Sequence, residues 1–196
     1  MNKMIDELLR YIPDKCDQMS TTSHKFKKDL WEFCSGDGFR DLKVVELGTN
    51  NGQSTNVLSY LFDDVSTVNN NESIFAKEFN SDRDNIKFYN FDLYRHQWQL
   101  TEGDIFFIDA DHSYSAVCMD IENCIKLKSS IENKIFIFDD YGVNKFVDDV
   151  KRAVDKYIEN GTLEVLGYIG HTPGHTFDET YNRTLSHYEG IICQEI

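Results

Sequence analysis

From Lys43 onward the chain alternates short runs of β-branched and aromatic residues with segments of helical period, and few folds accommodate that rhythm. Seven runs read as strands: "KVVELG" (43–48), "DVSTVN" (64–69), "NIKFYNF" (85–91), "DIFFID" (104–109), "KIFIFD" (134–139), "LEVLGYIG" (163–170) and "EGIICQEI" (189–196). Between them "STNVLSYLF" puts Val57, Leu58 and Leu61 on one face, with Ser54 in place to cap its first turn. "NKFVDDVKRAVDKYIENG" repeats Phe146, Val147, Val150, Val154, Tyr157 and Ile158 at helical spacing and stops at Gly161. Strands alternating with helices predict an α/β domain with a mainly parallel sheet.

The last two runs are separated by "HTPGHTFDETYNRTLSHY", which is polar, aromatic and turn-rich and reads as a long loop. Ahead of the first strand, "SHKFKKDLWEFC" places Phe26, Leu30 and Phe33 or Cys34 on one helical face. Residues 1–40 therefore read as an N-terminal helical segment that packs on the core or forms a lid, and 41–196 as the main domain. A length of 196 residues suits one compact domain overall.

No apolar run reaches bilayer-spanning length, and the N-terminus mixes charge with apolar residues, unlike a secretory signal. The expectation is a cytoplasmic protein with no membrane partner. Its five cysteines are scattered without a CxxC pair, which favours free thiols over zinc or disulfides. A net charge of -14 opposes non-specific nucleic-acid binding, and an acidic solvated surface accounts for it more simply than an evolved attraction. A homo-oligomer is compatible with all of this.

Two stretches carry chemistry. "VVELGTNNGQST" is a strand, a glycine turn and a helix start, so Gly48 and Gly52 let the backbone approach a ligand at a helix N-terminus. Glu46, at the end of that strand, would repel phosphate and receive an ammonium group. The GxxxG spacing also departs from the GxGxxG of dinucleotide sites. The ligand expected here is cationic.

"ELGTNNGQST" resembles motif I of the class I S-adenosylmethionine-dependent methyltransferases, most of all O-methyltransferases reading "E(I/L)GxxxGxST". The resemblance runs from about Val44 to the C-terminus. It implies a Rossmann-like α/β fold with a seven-stranded, mostly parallel sheet in the order 3-2-1-4-5-7-6, the seventh strand antiparallel. It also implies that Glu46 receives the methionine amino group and that Gly48, Thr49, Asn50, Gly52 and Ser54 line the cofactor, joined by Asp109. Where the family has an acid for the ribose hydroxyls this chain has "TVNNNES", leaving Asn69, Asn70 or Glu72 to bond the ribose and predicting weaker cofactor affinity. Asp92 matches the position that contacts the adenine amino group, and a turn-capping aspartate explains it equally well on chemistry alone.

The second stretch is a pair of strand ends, "FFIDADHSY" and "IFIFDDYG". On neighbouring parallel strands Asp109, Asp139 and Asp140 would converge at the cofactor edge, and three carboxylates repel unless a cation joins them. An oxygen-rich set suits Mg²⁺, with Mn²⁺ or Ca²⁺ as alternatives. Such a site is similar to that of metal-dependent O-methyltransferases of sugars or catechols, and "DADHSY" with "DDY" fits the sugar branch better. Asp111 or His112 would take the proton of the acceptor hydroxyl, while helix capping and metal-independent "DxDHxY" sites offer a plainer account of the same residues.

Tyr114, Tyr141, His171 and His175 are the candidate substrate contacts. The HxxxH pair of the distal loop lacks a helix to align it for zinc. The expected function is O-methylation of a sugar hydroxyl, by a further resemblance that of a deoxysugar such as rhamnose in glycans of large DNA viruses, which would place the protein in the host cytoplasm. Two alternatives stay open: a glycosyltransferase using Asp109 and Asp111 as a DxD motif, and a cofactor-binding domain without turnover.

Overall fold

A computed structural model describes residues 3–15, 21–142, 147–171 and 188–196. All seven expected strands are present: β1 (Lys43–Leu47), β2 (Asp64–Asn69), β3 (Ile86–Asn90), β4 (Ile105–Ile108), β5 (Ile135–Phe138), β6 (Leu163–Ile169) and β7 (Gly190–Glu195). They form one sheet in the order β3-β2-β1-β4-β5-β7-β6, with β7 antiparallel to both β5 and β6. This is the Rossmann-like methyltransferase order.

Six helices flank the sheet among the described residues: α1 (Lys3–Leu8), α2 (His24–Cys34), α3 (Gln53–Leu61), α4 (Ile74–Phe79), α5 (Tyr114–Lys126) and α6 (Val147–Glu159). Burial on both faces explains the continuous apolar character of β4 and β5, whose sides alternate between two cores. Phe106, Phe136 and Phe138 join Ile121 and Val154 on one face; Phe107 and Ile137 join Phe26, Leu30 and Leu58 on the other. Ile5, Leu9 and Ile12 are buried in that second core, so the described N-terminal residues are packed onto the sheet layer. No helix among the described residues is long and apolar enough to cross a membrane.

Local chemistry sets the helix starts. Ser23 caps α2, its hydroxyl accepting from the Phe26 N–H at 3.0 Å. Ser54 does not cap α3. Gly52 holds that position with a left-handed φ of 78° and no side-chain bond, because the turn from β1 needs a residue that adopts this conformation.

Gly48 is under tighter constraint. Its φ is 102°, and a Cβ there would lie 1.9 Å from the carbonyl oxygen of Asp109 at the end of β4. Gly48→Ala is therefore expected to destabilise the fold by roughly 3 kcal/mol or more, lowering Tm by about 6–12 °C in a thermal melt.

Candidate functional site

The order of the sheet reverses between β1 and β4, and ligands in open α/β sheets bind beyond the carboxyl ends of such strands. A cleft of about 670 Å³ opens there. Gly48 and Asn50 line it from the first turn, Asn69 and Asn70 from the end of β2, Asp92 and Tyr94 from the end of β3. Asp109, Asp111 and His112 follow β4, and Asp139 and Asp140 follow β5. Most residues expected from the sequence are thus brought together.

Glu46, within β1, is fully buried and is not among the residues that line the cleft. One carboxylate oxygen, Oε2, accepts from the Thr55 and Thr67 hydroxyls, both at 2.5 Å; the other, Oε1, has no hydrogen-bond partner among the described residues. Burial, with Asp109 nearby, pushes the pKa up to about 8 despite the threonine bonds. A buried carboxylate with an orphaned oxygen is costly alone and fits a cationic ligand.

Thr49 behaves differently. Its hydroxyl bonds that of Thr67 at 2.6 Å and is buried, so its role is to brace Thr67. Ser54 Oγ lies 3.4 Å from Thr22 Oγ1. Asp92 accepts from the Tyr94 N–H at 2.9 Å, so it caps its turn while also lining the cleft. Glu72 is exposed and faces Lys77 at 3.3 Å.

On the other side of the cleft, His112 Nε2 sits 3.2 Å from Asp109 Oδ1 and 3.3 Å from Asp140 Oδ2. Burial works against protonating this imidazole, but the Asp109 hydrogen bond and the charges of Asp109, Asp140 and Asp111 raise its pKa. Burial also raises Asp109, although His112 opposes it. Asp111 is held low because its carboxylate accepts from Ser113, including the Ser113 N–H at 2.8 Å, which makes it a poor base.

Asp109, His112 and Asp140 each offer a ligand atom, all within 4.8 Å of one another. Asp139 is outside that group. It faces Lys15, whose Nζ is 3.7 Å from Asp139 Oδ2, 3.0 Å from Asp140 Oδ1 and 2.8 Å from Glu189 Oε1.

The expected substrate contacts are more scattered. Tyr114 lies under the Arg152 guanidinium, 4.3 Å from its ring centre, in a separate hollow between α5 and α6. Tyr141 is buried, donating to Asp155 at 2.7 Å. It begins an aromatic series: Tyr168 is 6.1 Å away, Tyr188 lies 5.1 Å beyond it, and His171 is 5.3 Å from Tyr188. His175 lies outside the described residues.

Sequence reading missed Lys15, Thr21, Tyr94 and Glu189. Lys15 meets its carboxylates across 125 and 174 residues of chain, which leaves no local signal. Lys27 carried a signal. It shares the α2 face of Leu30, Trp31 and Cys34 and is fully buried, its ammonium donating to the Thr21 and Thr22 hydroxyls at 3.0 and 2.7 Å.

A family model described as a methyltransferase domain matches residues 45–141. No curated protein matches the chain by sequence. Among solved structures, a SAM-dependent O-methyltransferase from Thermotoga maritima is similar at 12% identity and a TM-score of 0.63, over 98% of this chain and 71% of that one. The tRNA (m1A58) methyltransferase TrmI from Aquifex aeolicus is similar at 19% identity and a TM-score of 0.62, over 97% and 75%. Phosphoethanolamine N-methyltransferase 1 from Haemonchus contortus, in complex with phosphoethanolamine and S-adenosylhomocysteine, is similar at 16% identity and a TM-score of 0.57, over 99% of this chain and 48% of that one.

Proposed function

We propose that the chain, a class I S-adenosylmethionine-dependent methyltransferase, transfers the methyl group to a hydroxyl oxygen of a small sugar, with His112 as general base. The observation that carries this reading is His112 Nε2 placed between Asp109 and Asp140 at the wall of the cleft. The cofactor supplies an electrophilic sulfonium methyl. Glu46, with its unpartnered oxygen, suits the methionine ammonium, and the Gly48 turn, packed against the end of β4, lines the cleft where the cofactor would lie.

Asp109 and Asp140 orient the imidazole and stabilise the charge it acquires as it takes the acceptor proton. The hydroxyl oxygen would attack the methyl carbon in line while its proton passes to Nδ1, the ring nitrogen opposite the Nε2 that faces Asp109 and Asp140, leaving an ether and S-adenosylhomocysteine. Val68, Leu93, Ala110 and the Tyr94 ring are the apolar surfaces of a described lining that is otherwise mostly polar or charged, a balance that favours a polyhydroxylated acceptor over an apolar aromatic one.

The grouping of Asp109, His112 and Asp140 within 4.8 Å favours a second reading, in which they hold a divalent ion. The two readings compete for His112. Calorimetric titration with S-adenosylhomocysteine, then transfer to deoxysugars in EDTA and in Mn²⁺, separates them: saturable binding with EDTA-resistant turnover is expected. EDTA-sensitive turnover restored by Mn²⁺ would establish the ion, and saturable binding with no turnover on any acceptor would leave a binding domain.

A further inference from the structure

The carboxylates after β5 belong to the segment matched by the family model, but the lysine that meets them does not. Lys15 comes from the N-terminal residues and Glu189 from the start of β7, both outside 45–141. Lys15 is fixed in place: Asp14 accepts from the backbone N–H groups of Lys15 at 2.7 Å and His24 at 3.0 Å, and a His24 ring nitrogen lies 2.7 Å from the carbonyl of Ile12. Buried Ile12 anchors the same stretch in the core.

Two of the three partners of Lys15 are also tied to something else. Asp140 gives Oδ1 to Lys15 and turns Oδ2 toward His112, from a left-handed backbone with φ of 55° that aspartate adopts more readily than most residues. Glu189 accepts from the Ser23 N–H at 3.0 Å and from its hydroxyl. Asp139 is buried, with Oδ1 unpartnered among the described residues.

We propose that Lys15 is the resident cation of the transfer site, a positioning residue that holds Asp140 beside His112 and supplies the countercharge a divalent ion would otherwise bring to Asp139 and Asp140. This rests on the reading of the cleft as a methyl-transfer site with His112 as base. Without Lys15, buried Asp139, Asp140 and Glu189 keep only the ammonium of Lys27, which is committed to Thr21 and Thr22 and which burial pushes down to a pKa of about 8, and the cluster becomes a place where a divalent cation binds.

The test compares the full-length wild type with Lys15→Met, Lys15→Arg and the double variant Lys15→Met/Asp139→Asn. It follows Mn²⁺ binding by electron paramagnetic resonance, S-adenosylhomocysteine binding by calorimetry, and turnover. Lys15→Met is expected to lose about a hundredfold in turnover, to keep its S-adenosylhomocysteine affinity, and to gain a Mn²⁺ site that the wild type lacks. Lys15→Arg should restore turnover and close that site. If Lys15→Met folds poorly, the double variant, with one carboxylate neutralised, should recover stability and lose the Mn²⁺ site.

Wild-type turnover and unchanged Mn²⁺ affinity in Lys15→Met would overturn the proposal, as would a Lys15→Arg variant no better than Lys15→Met. The underlying transfer reading fails separately, through absent S-adenosylhomocysteine binding in the wild type. The Mn²⁺ readout reports on Lys15 in either case.

Discussion

Replacing His112 by glutamine is expected to lower turnover by about 10²–10⁴-fold, the range a positioned general base contributes, while leaving S-adenosylhomocysteine affinity unchanged. The side chain remains large enough to fill its place between Asp109 and Asp140, so a thermal melt should barely move at a pH where the wild-type imidazole is neutral and should fall at lower pH, where its charged form stabilises the fold. The pH profile carries the sharper expectation. A base works unprotonated, and His112 holds its proton above the ordinary imidazole range because Asp109 and Asp140 stabilise the charged form. Activity should therefore rise with pH through a limb that lies above about 6.5. Asp109→Asn removes the hydrogen-bonding carboxylate and should move that limb to lower pH, at some cost in rate because the ring is less firmly oriented. A limb that stays where it is in Asp109→Asn would assign the titration to another group.

The sequence was most legible where local patterning and tertiary demand coincide. The seven β-rich runs became the seven strands because sheet burial on both faces selects Val, Ile and Phe directly. Glu46 and Gly48 were readable because a carboxylate at a strand end and a glycine in the following turn break the local preference for apolar and β-carbon-bearing residues. Asp109, Asp139 and Asp140 stood out for the same reason, and the parallel register of β4 and β5 brought their strand ends together.

What could not be read was which lysine meets Asp139 and Asp140. The sequence offers 20 lysines and arginines, and no spacing rule connects Lys15 to Asp140 across 125 residues. Partner choice there is decided by how the N-terminal residues pack, through Ile12 and the Asp14–His24 contacts. Helix capping went astray on a smaller scale: Ser54 is a good cap by composition, but the turn after β1 requires the left-handed φ that Gly52 supplies.

Glu46→Gln tests the cofactor half of the cleft. Removing the charge that meets a buried ammonium costs about 2–5 kcal/mol in comparable pairs, so S-adenosylhomocysteine affinity should fall by roughly 30-fold to several thousand-fold. Two further consequences follow from the Glu46 pKa near 8, raised by burial above the value the unfolded chain gives it. The folded apo protein binds this proton more tightly than the unfolded chain, so Glu46 opposes folding increasingly as pH climbs from about 4.5 to 8. The glutamine variant should accordingly melt higher than the wild type at pH 8 without ligand, and the difference should shrink toward pH 5. Binding an ammonium favours the ionised carboxylate, so at pH 7 cofactor binding should release a proton from Glu46. Calorimetry in buffers of different ionisation enthalpy measures that release, which should approach one proton for the wild type and vanish in Glu46→Gln. Equal release from both proteins would mean that the ammonium meets some other group.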